Sequence, residues 1–202
     1  MYGHTKFCLK KSGGGIQEAM SEILRIPGWF PEGHRSALER IIEEYHVKSV
    51  VEIGSFLGLS AVWFAQRVEE VYCIDEWFER STQESNNNLV GTLRRWNLPC
   101  DFFSLFRDNV MHSGVWHKIV PVRGNSRRVF ERVPVVDLVY VDGDHSYEGC
   151  TSDIVNYRTK ARGVICGDDY DPSVPEFGVI HAVDELLPQR QVSGTFWWAN
   201  VF

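Results

Sequence analysis

Apolar positions along the chain change period several times, and each change marks an element. Ile16, Met20, Ile23 and Leu24 recur at helical spacing behind the small residues Ser12 to Gly15, which predicts a helix over 16–26 ended by the turn Pro27-Gly28. A second helical stripe covers 34–46 through Leu38, Ile41, Ile42 and Tyr45. The period then switches, and Lys48-Ser-Val-Val-Glu-Ile53 reads as a buried strand.

From there strand-like and helix-like segments alternate. Strands are expected over 48–53, 71–74, 118–122, 136–141 and 163–166, with helices over 59–68, from near Ser81, and over 126–132, 145–159 and 179–187. Such alternation implies parallel strands joined by helical crossovers. The chain end differs: 190–192 and 195–201 flank Ser193-Gly194 and read as a hairpin, which would give the sheet an antiparallel edge. The expectation is an α/β fold, a doubly wound, mostly parallel seven-stranded sheet with an antiparallel C-terminal edge hairpin. A single domain is expected, with 1–33 as an N-terminal helix and mobile cap and 34–202 as the core. The stretch 97–114 carries the weakest pattern.

Composition narrows the class. With 202 residues, 44% hydrophobic, 24% charged and a formal charge of -6, the chain is ordinary for a globular protein, which excludes a disordered, collagenous or polyanion-binding basic chain. No apolar run is long enough to span a membrane, so the protein is expected to be soluble and cytoplasmic, with no membrane partner. An acidic balance also disfavours nucleic acid, whose binding needs clustered Lys and Arg. The five cysteines, Cys8, Cys73, Cys100, Cys150 and Cys166, show no C-x-x-C spacing and read as buried thiols. A small-molecule partner fits best.

The segment Val50-Val-Glu-Ile-Gly-Ser-Phe-Leu-Gly-Leu-Ser60 runs from a strand through two glycines into a helix, which lets backbone N–H groups approach a ligand. It is not a dinucleotide fingerprint, because Phe56 and Leu59 stand where the second and third glycines would be. Asp75 ends the next strand 21 residues after Gly54, where an acidic side chain can accept hydrogen bonds from both ribose hydroxyls. An adenosine-containing cofactor without a pyrophosphate suits both features. Alternatively, the glycines serve only a tight turn and Asp75 only caps a helix. Here the sequence resembles the class I S-adenosylmethionine-dependent methyltransferases, which have a Rossmann-like fold and whose first motif looks like Glu52-Ile-Gly54-Ser-Phe-Leu-Gly58. The resemblance implies that Gly54, Ser55 and Gly58 wrap the methionine part of the cofactor, Ser60 meets its carboxylate and Asp75 holds the ribose. It also places adenine contacts near Gly124-Asn125-Ser126, although Ser126 is equally a candidate helix N-cap. Trp77 could flank the adenine or lie in the core.

A second stretch, Asp137-Leu-Val-Tyr-Val-Asp142-Gly-Asp144-His145-Ser-Tyr-Glu148, is an apolar strand that discharges into two aspartates and a histidine. Another acidic ending comes 26 residues after Asp142, at Asp168-Asp169. If the two strands are adjacent, about 4.8 Å apart, Asp142, Asp168 and Asp169 converge. Carboxylates so close repel unless a cation or shared proton compensates, and oxygen donors suit a hard cation such as Mg²⁺. Alternatively, Asp144 and Asp169 are caps or solvated charges, and His145 merely bonds the backbone.

This layout resembles the metal-dependent O-methyltransferases, both the catechol O-methyltransferase type and those acting on sugars, and overall most resembles the family-24 methyltransferases over about 36–187. By that resemblance Asp142, Asp168 and Asp169 bind Mg²⁺, and His145 occupies the position of a basic residue, so that His145 or Asp142 is the base. The Asp-Asp pair, in place of the Asp-Asn of catechol-type enzymes, tilts the acceptor towards a sugar or other hydroxyl. The rivals are a metal-free methyltransferase in which Asp142 or His145 acts directly, and a non-catalytic cofactor-binding protein. Trp29, Phe30 and Phe196-Trp197-Trp198 are candidates for an acceptor pocket, and the C-terminal three also for a homodimer contact, set against a plain core role.

Overall fold

In the computed structural model, the described residues are 26–77 and 101–201. The helix expected over 16–26 apart from Ile26, the helix near Ser81, the mobile cap up to residue 25, Cys8 and Cys100 lie outside them.

The first described helix, α1 (Glu32–Glu44), begins two residues earlier than the apolar stripe predicts, because Pro31 sets φ to -61° at its N-cap and Glu32 places a carboxylate in its first turn. It buries His34, Ala37, Leu38 and Ile41, the i, i+3, i+4, i+7 face of a helix lying on a sheet. Ile26 and Phe30, just before it, are also buried, so this part of the expected cap belongs to the core. Helix α2 (Leu59–Ala65) is buried along its whole length.

Strands β1 (Ser49–Ile53), β2 (Glu70–Asp75), β3 (Ile119–Arg123), β4 (Val136–Val141), β5 (Ala161–Gly167), β6 (Gln191–Ser193) and β7 (Phe196–Asn200) form one sheet in the order β3-β2-β1-β4-β5-β7-β6. Every pairing among β1 to β5 is parallel, while β7 runs antiparallel to both β5 and β6. The expected topology is therefore present, and the closing hairpin adds to the sheet through its second strand.

Side-chain alternation in the strands feeds two cores, one on each face. Val50, Leu138, Tyr140, Val164, Cys166 and Phe196 pack with α1 and α2. Val51, Val139, Val141, Ile165 and Trp197 pack on the other face. Helix α3 (Phe102–His112) falls in the stretch whose pattern was weakest. Asp101 caps it by accepting from the Ser104 N–H at 3.2 Å, and Phe102, Phe106 and Val110 point inwards one turn apart.

The expected helix over 126–132 is shorter: α4 (Ser126–Val129) passes into a 3-10 turn and stops before Pro134, whose ring disfavours helix at Val133. Helix α5 (Tyr147–Tyr157) starts after Ser146, whose Oγ accepts from the Gly149 N–H at 3.0 Å, and α6 (Val179–Leu186) packs beside it. Strand order reverses between β1 and β4, the place where open α/β sheets bind ligands beyond the strand ends.

Candidate active site

Two turns meet at that reversal. Gly54 leaves β1 with φ +90°, and a Cβ there would come 1.8 Å from the Asp142 carbonyl oxygen, so the turn lies directly against the end of β4. Gly58, with φ +91°, caps α2 and donates its N–H to the Ser55 carbonyl at 2.8 Å. Beneath the turn, Glu52 is fully buried and accepts a hydrogen bond from the Ser55 hydroxyl. Burial raises its pKa, with hydrogen bonds from Ser55, Ser60 and Cys73 pulling the other way. Ser60 thus lies in the first turn of α2 beside Glu52.

At the end of β2, Asp75 accepts from the Phe56 N–H at 2.9 Å through Oδ2 and from the Trp77 N–H at 2.7 Å through Oδ1. Burial raises its pKa, and these two backbone donors oppose the rise. These two donors fix the carboxylate beside the glycine turn. Trp77 is core: it packs against Phe103 and Phe106 and donates its indole N–H to the Phe56 carbonyl at 2.7 Å.

Ser126 is not the N-cap of α4. Asn125 fills that position, accepting from the Arg127 N–H at 3.2 Å, and Ser126 Oγ donates to Asp153 Oδ1 at 2.6 Å. Asp153 escaped the sequence reading. Burial lifts its pKa to about 6, against the pull of the Ser126 hydrogen bond and the Arg127 charge.

The acidic cluster forms at the ends of β4 and β5, which are neighbours. Asp142, His145 and Asp169 present donor atoms that all lie within 4.8 Å of one another. His145 Nε2 is 2.9 Å from Asp169 Oδ2 and 4.0 Å from Asp142 Oδ1. Burial raises the Asp142 pKa well above the usual carboxylate range, and the charges of Asp168 and Asp169 add to the rise. Burial lowers that of His145, but the Asp169 hydrogen bond and the charges of Asp169, Asp142 and Asp144 outweigh it, so the imidazole pKa ends above its ordinary value.

Asp168 is brought to the same strand end but points elsewhere. Its Oδ1 accepts from Thr195 Oγ1 at 2.8 Å and from the Asp169 N–H at 2.6 Å, and its Oδ2 lies 3.3 Å from His34 Nδ1. It is therefore outside the group of converging donors, and His145 takes the third place expected for it. Asp169 adopts φ +62°, an uncommon conformation for a non-glycine residue, while His34 and Thr195 hold the Asp168 side chain. Asp144 turns to the backbone and accepts from the N–H of Ser146, the N-cap of α5, at 3.0 Å.

A cleft of about 480 Å³ is lined by Ser146, Tyr147, Glu148, Phe177 and His181, among others, and by none of Asp142, His145 and Asp169. Phe177 also packs its ring on His145, with centroids 4.6 Å apart. Of the aromatic candidates, Phe30, Phe196 and Trp197 are buried in the core, while Trp29 is exposed and stacks near Phe56.

Residues 51–170 match a family of methyltransferase domains, and the chain belongs to that family. Solved structures share the fold. An O-methyltransferase from Bacillus cereus in complex with S-adenosylhomocysteine superposes with a TM-score of 0.62 at 14% identity, covering 92% of this chain and 90% of that one. The O-methyltransferase TomG from Streptomyces achromogenes, involved in tomaymycin synthesis and in complex with S-adenosylmethionine, gives 0.60 at 18% identity, covering 95% and 91%. A precorrin 8W decarboxylase from Methanobacterium thermoautotrophicum gives 0.57 at 15%, covering 86% and 90%. Identities this low show the shared architecture alone. No curated protein matches the chain in sequence.

Proposed function

We propose that this methyltransferase uses S-adenosylmethionine to methylate a hydroxyl oxygen of a small molecule or sugar, assisted by a divalent cation. The observation that carries this reading is the meeting, at one reversal of strand order, of the Gly54–Gly58 turn and Asp75 with Asp142, His145 and Asp169. Support also comes from two structures of the same fold named as O-methyltransferases in complex with S-adenosylhomocysteine or S-adenosylmethionine.

The bound cofactor supplies a methyl group on a sulfonium, which passes to the acceptor oxygen and leaves S-adenosylhomocysteine. The chain's own contribution is placement. Gly54, Ser55 and Gly58 form the wall for the methionine part and Ser60 the contact for its carboxylate. Asp75, held by two backbone amides, receives the ribose hydroxyls, with Ser126 towards the adenine. Positioning of this kind is the main lever on a direct displacement.

The donor chemistry fits a cation. Burial and the neighbouring carboxylates disfavour Asp142 as an anion, and a positive ion among them would reverse that penalty. Asp142 and Asp169 would hold the ion, which would orient the acceptor oxygen and make it more acidic. The acceptor would pass its proton to Asp142 or His145. Among the described residues no helix is long and apolar enough to cross a membrane.

Calorimetric titration with S-adenosylhomocysteine, first with Mg²⁺ and then with EDTA, tests the reading. Micromolar binding is the expected result, and no binding in either condition would overturn the cofactor assignment. Turnover that survives EDTA would shift the reading to the metal-free variant with Asp142 or His145 as base.

A further inference from the structure

We propose that Asp153 is a positioning residue that sets the nucleobase specificity of the cofactor site. It holds the Ser126 hydroxyl as a donor to itself and leaves Ser126 Oγ free only to accept, which selects a nucleobase with an exocyclic amine over one with an oxo group. The role rests on the S-adenosylmethionine reading above, with Ser126 towards the adenine, and adds to it a second residue and a rule of selection.

Ser126 is held from one face of α5. Asp153 and Tyr157 are an i, i+4 pair in that helix, so their side chains stand one above the other. Asp153 Oδ1 accepts from the Ser126 hydroxyl at 2.6 Å, and the Tyr157 hydroxyl donates to the Ser126 carbonyl at 2.8 Å. Asp153 and Tyr157 are both buried. The start of the same loop is tied as well, since the Gly124 N–H donates to the Asp75 carbonyl at 2.9 Å. Residues 124–126 are thus strung between the end of β2 and α5, and Ser126 cannot turn away without breaking two hydrogen bonds to buried partners.

Chemistry fixes the direction of the Ser126 bond. An ionised carboxylate has no hydrogen to give, so the hydroxyl must donate and only its lone pairs remain for a ligand. The carboxylate itself is wedged between the loops after β3 and β4: a Cβ added at Gly143 would come 3.4 Å from Asp153 Oδ2. Arg127 of α4 and Asp144 beyond β4 are the charged groups that bear on it, with opposite sign. Ser126 is only half-buried, so it is the member of the set that a ligand reaches. An exocyclic amine donates to its oxygen, whereas an oxo group sets two acceptors against each other and loses affinity.

The test is calorimetric titration of the full chain with S-adenosylhomocysteine and with S-inosylhomocysteine, which carries an oxo group where adenine carries its amine. It is run at pH 8, where Asp153 is ionised, since burial lifts its pKa only to about 6. The wild type should prefer S-adenosylhomocysteine by about tenfold or more, the worth of one hydrogen bond. Asp153→Asn keeps an oxygen facing Ser126 and should keep the preference. Asp153→Ala frees the hydroxyl to turn and Ser126→Ala removes it, so each should reduce the preference to less than about threefold. Asp153→Leu, closer in size to the native residue, replaces Asp153→Ala if that variant does not fold.

The ratio of the two affinities is the readout that a purely structural role leaves alone, because a misplaced loop weakens both ligands alike. No preference in the wild type, or a preference kept by Ser126→Ala or by the folded variant that lacks the Asp153 carboxylate, would overturn the role of Asp153 and leave the cofactor reading standing. If the wild type does not bind S-adenosylhomocysteine, the cofactor reading fails and the role of Asp153 falls with it.

Discussion

His34 Nδ1 lies 3.3 Å from Asp168 Oδ2 while His34 Nε2 lies 3.0 Å from Thr195 Oγ1, so one buried imidazole ties α1 to the end of β5 and to the C-terminal hairpin. Thr195 closes the loop by donating to Asp168 Oδ1 at 2.8 Å. Burial lowers the His34 pKa, with the charges of Asp168 and Asp169 opposing. His34→Ala strips one partner from Asp168 and one from Thr195 and leaves a void under α1. We expect it to destabilise the fold by about 1–3 kcal/mol in urea titration. In a cycle with Thr195→Val, the two losses should fail to add by more than about 0.5 kcal/mol. Simple additivity would mean that the three groups do not act as a unit.

Asp153 gives a pH dependence of defined sign. Its pKa rises on folding from the ordinary 3.8 to about 6, because burial penalises the charged form more than Ser126 and Arg127 favour it. The native state therefore holds this proton more tightly than the unfolded chain does. Its contribution to stability is full below pH 3.8 and disappears as pH rises through about 6. Asp153→Asn keeps an oxygen to accept from Ser126 but cannot ionise. The stability of the variant relative to wild type should thus improve by up to about 3 kcal/mol between pH 4 and pH 7. Chemical denaturation at both pH values checks it, and a difference independent of pH would contradict the assignment.

Sequence spacing revealed the sheet because a parallel strand covered on both faces is an unbroken apolar run, as Val136–Val141 is, and because the turn at Gly54 needs a residue without Cβ. It also located Asp142, His145, Asp168 and Asp169 at adjoining strand ends. It put both consecutive aspartates in the cluster, whereas Asp169 joins Asp142 and His145 there and Asp168 faces His34 and Thr195. That difference depends on His34 and Thr195, which lie far from Asp168 in sequence. Asp153 went unread for the same reason, since its partner Ser126 comes from another crossover. In α3 the signal was present: the one-turn spacing of Phe102, Phe106 and Val110 behind the capping pair Asp101 and Ser104 would have been enough.

Gly54 and Gly33 should respond in opposite directions to the same substitution. A Cβ at Gly54 would meet the Asp142 carbonyl oxygen at 1.8 Å and the Gly143 Cα at 3.0 Å, both backbone atoms, at a φ of +90°. Gly54→Ala should therefore push β1 and β4 apart at the site, with a loss of several kcal/mol and of S-adenosylhomocysteine binding. Gly33, in the first turn of α1, has nothing within 4 Å of the added carbon. There Gly33→Ala should raise stability by about 0.5–1 kcal/mol, since alanine loses less backbone freedom in a helix. Thermal melts with and without S-adenosylhomocysteine distinguish the two, and an intact, cofactor-binding Gly54→Ala protein would remove the turn from the site.

Consecutive aspartates at the end of β5 offer the sharpest test of the cluster. Asp169 Oδ2 is one of the converging donors, whereas both oxygens of Asp168 are occupied by Thr195, the Asp169 N–H and His34. Asp169→Asn should weaken divalent-ion binding by about 10–100-fold, the range typical of a lost interaction at a metal site. Asp168→Asn can still accept from Thr195 and should cost only a few-fold, through the nearby negative charge it removes. Its main effect should fall instead on folding stability, because the amide presents His34 and Thr195 with a different donor pattern. Calorimetric titration of both variants with Mn²⁺ compares them directly. Equal losses would mean that Asp168 turns from His34 to the ion when one binds, and an unaffected Asp169→Asn would remove Asp169 from the ligand set.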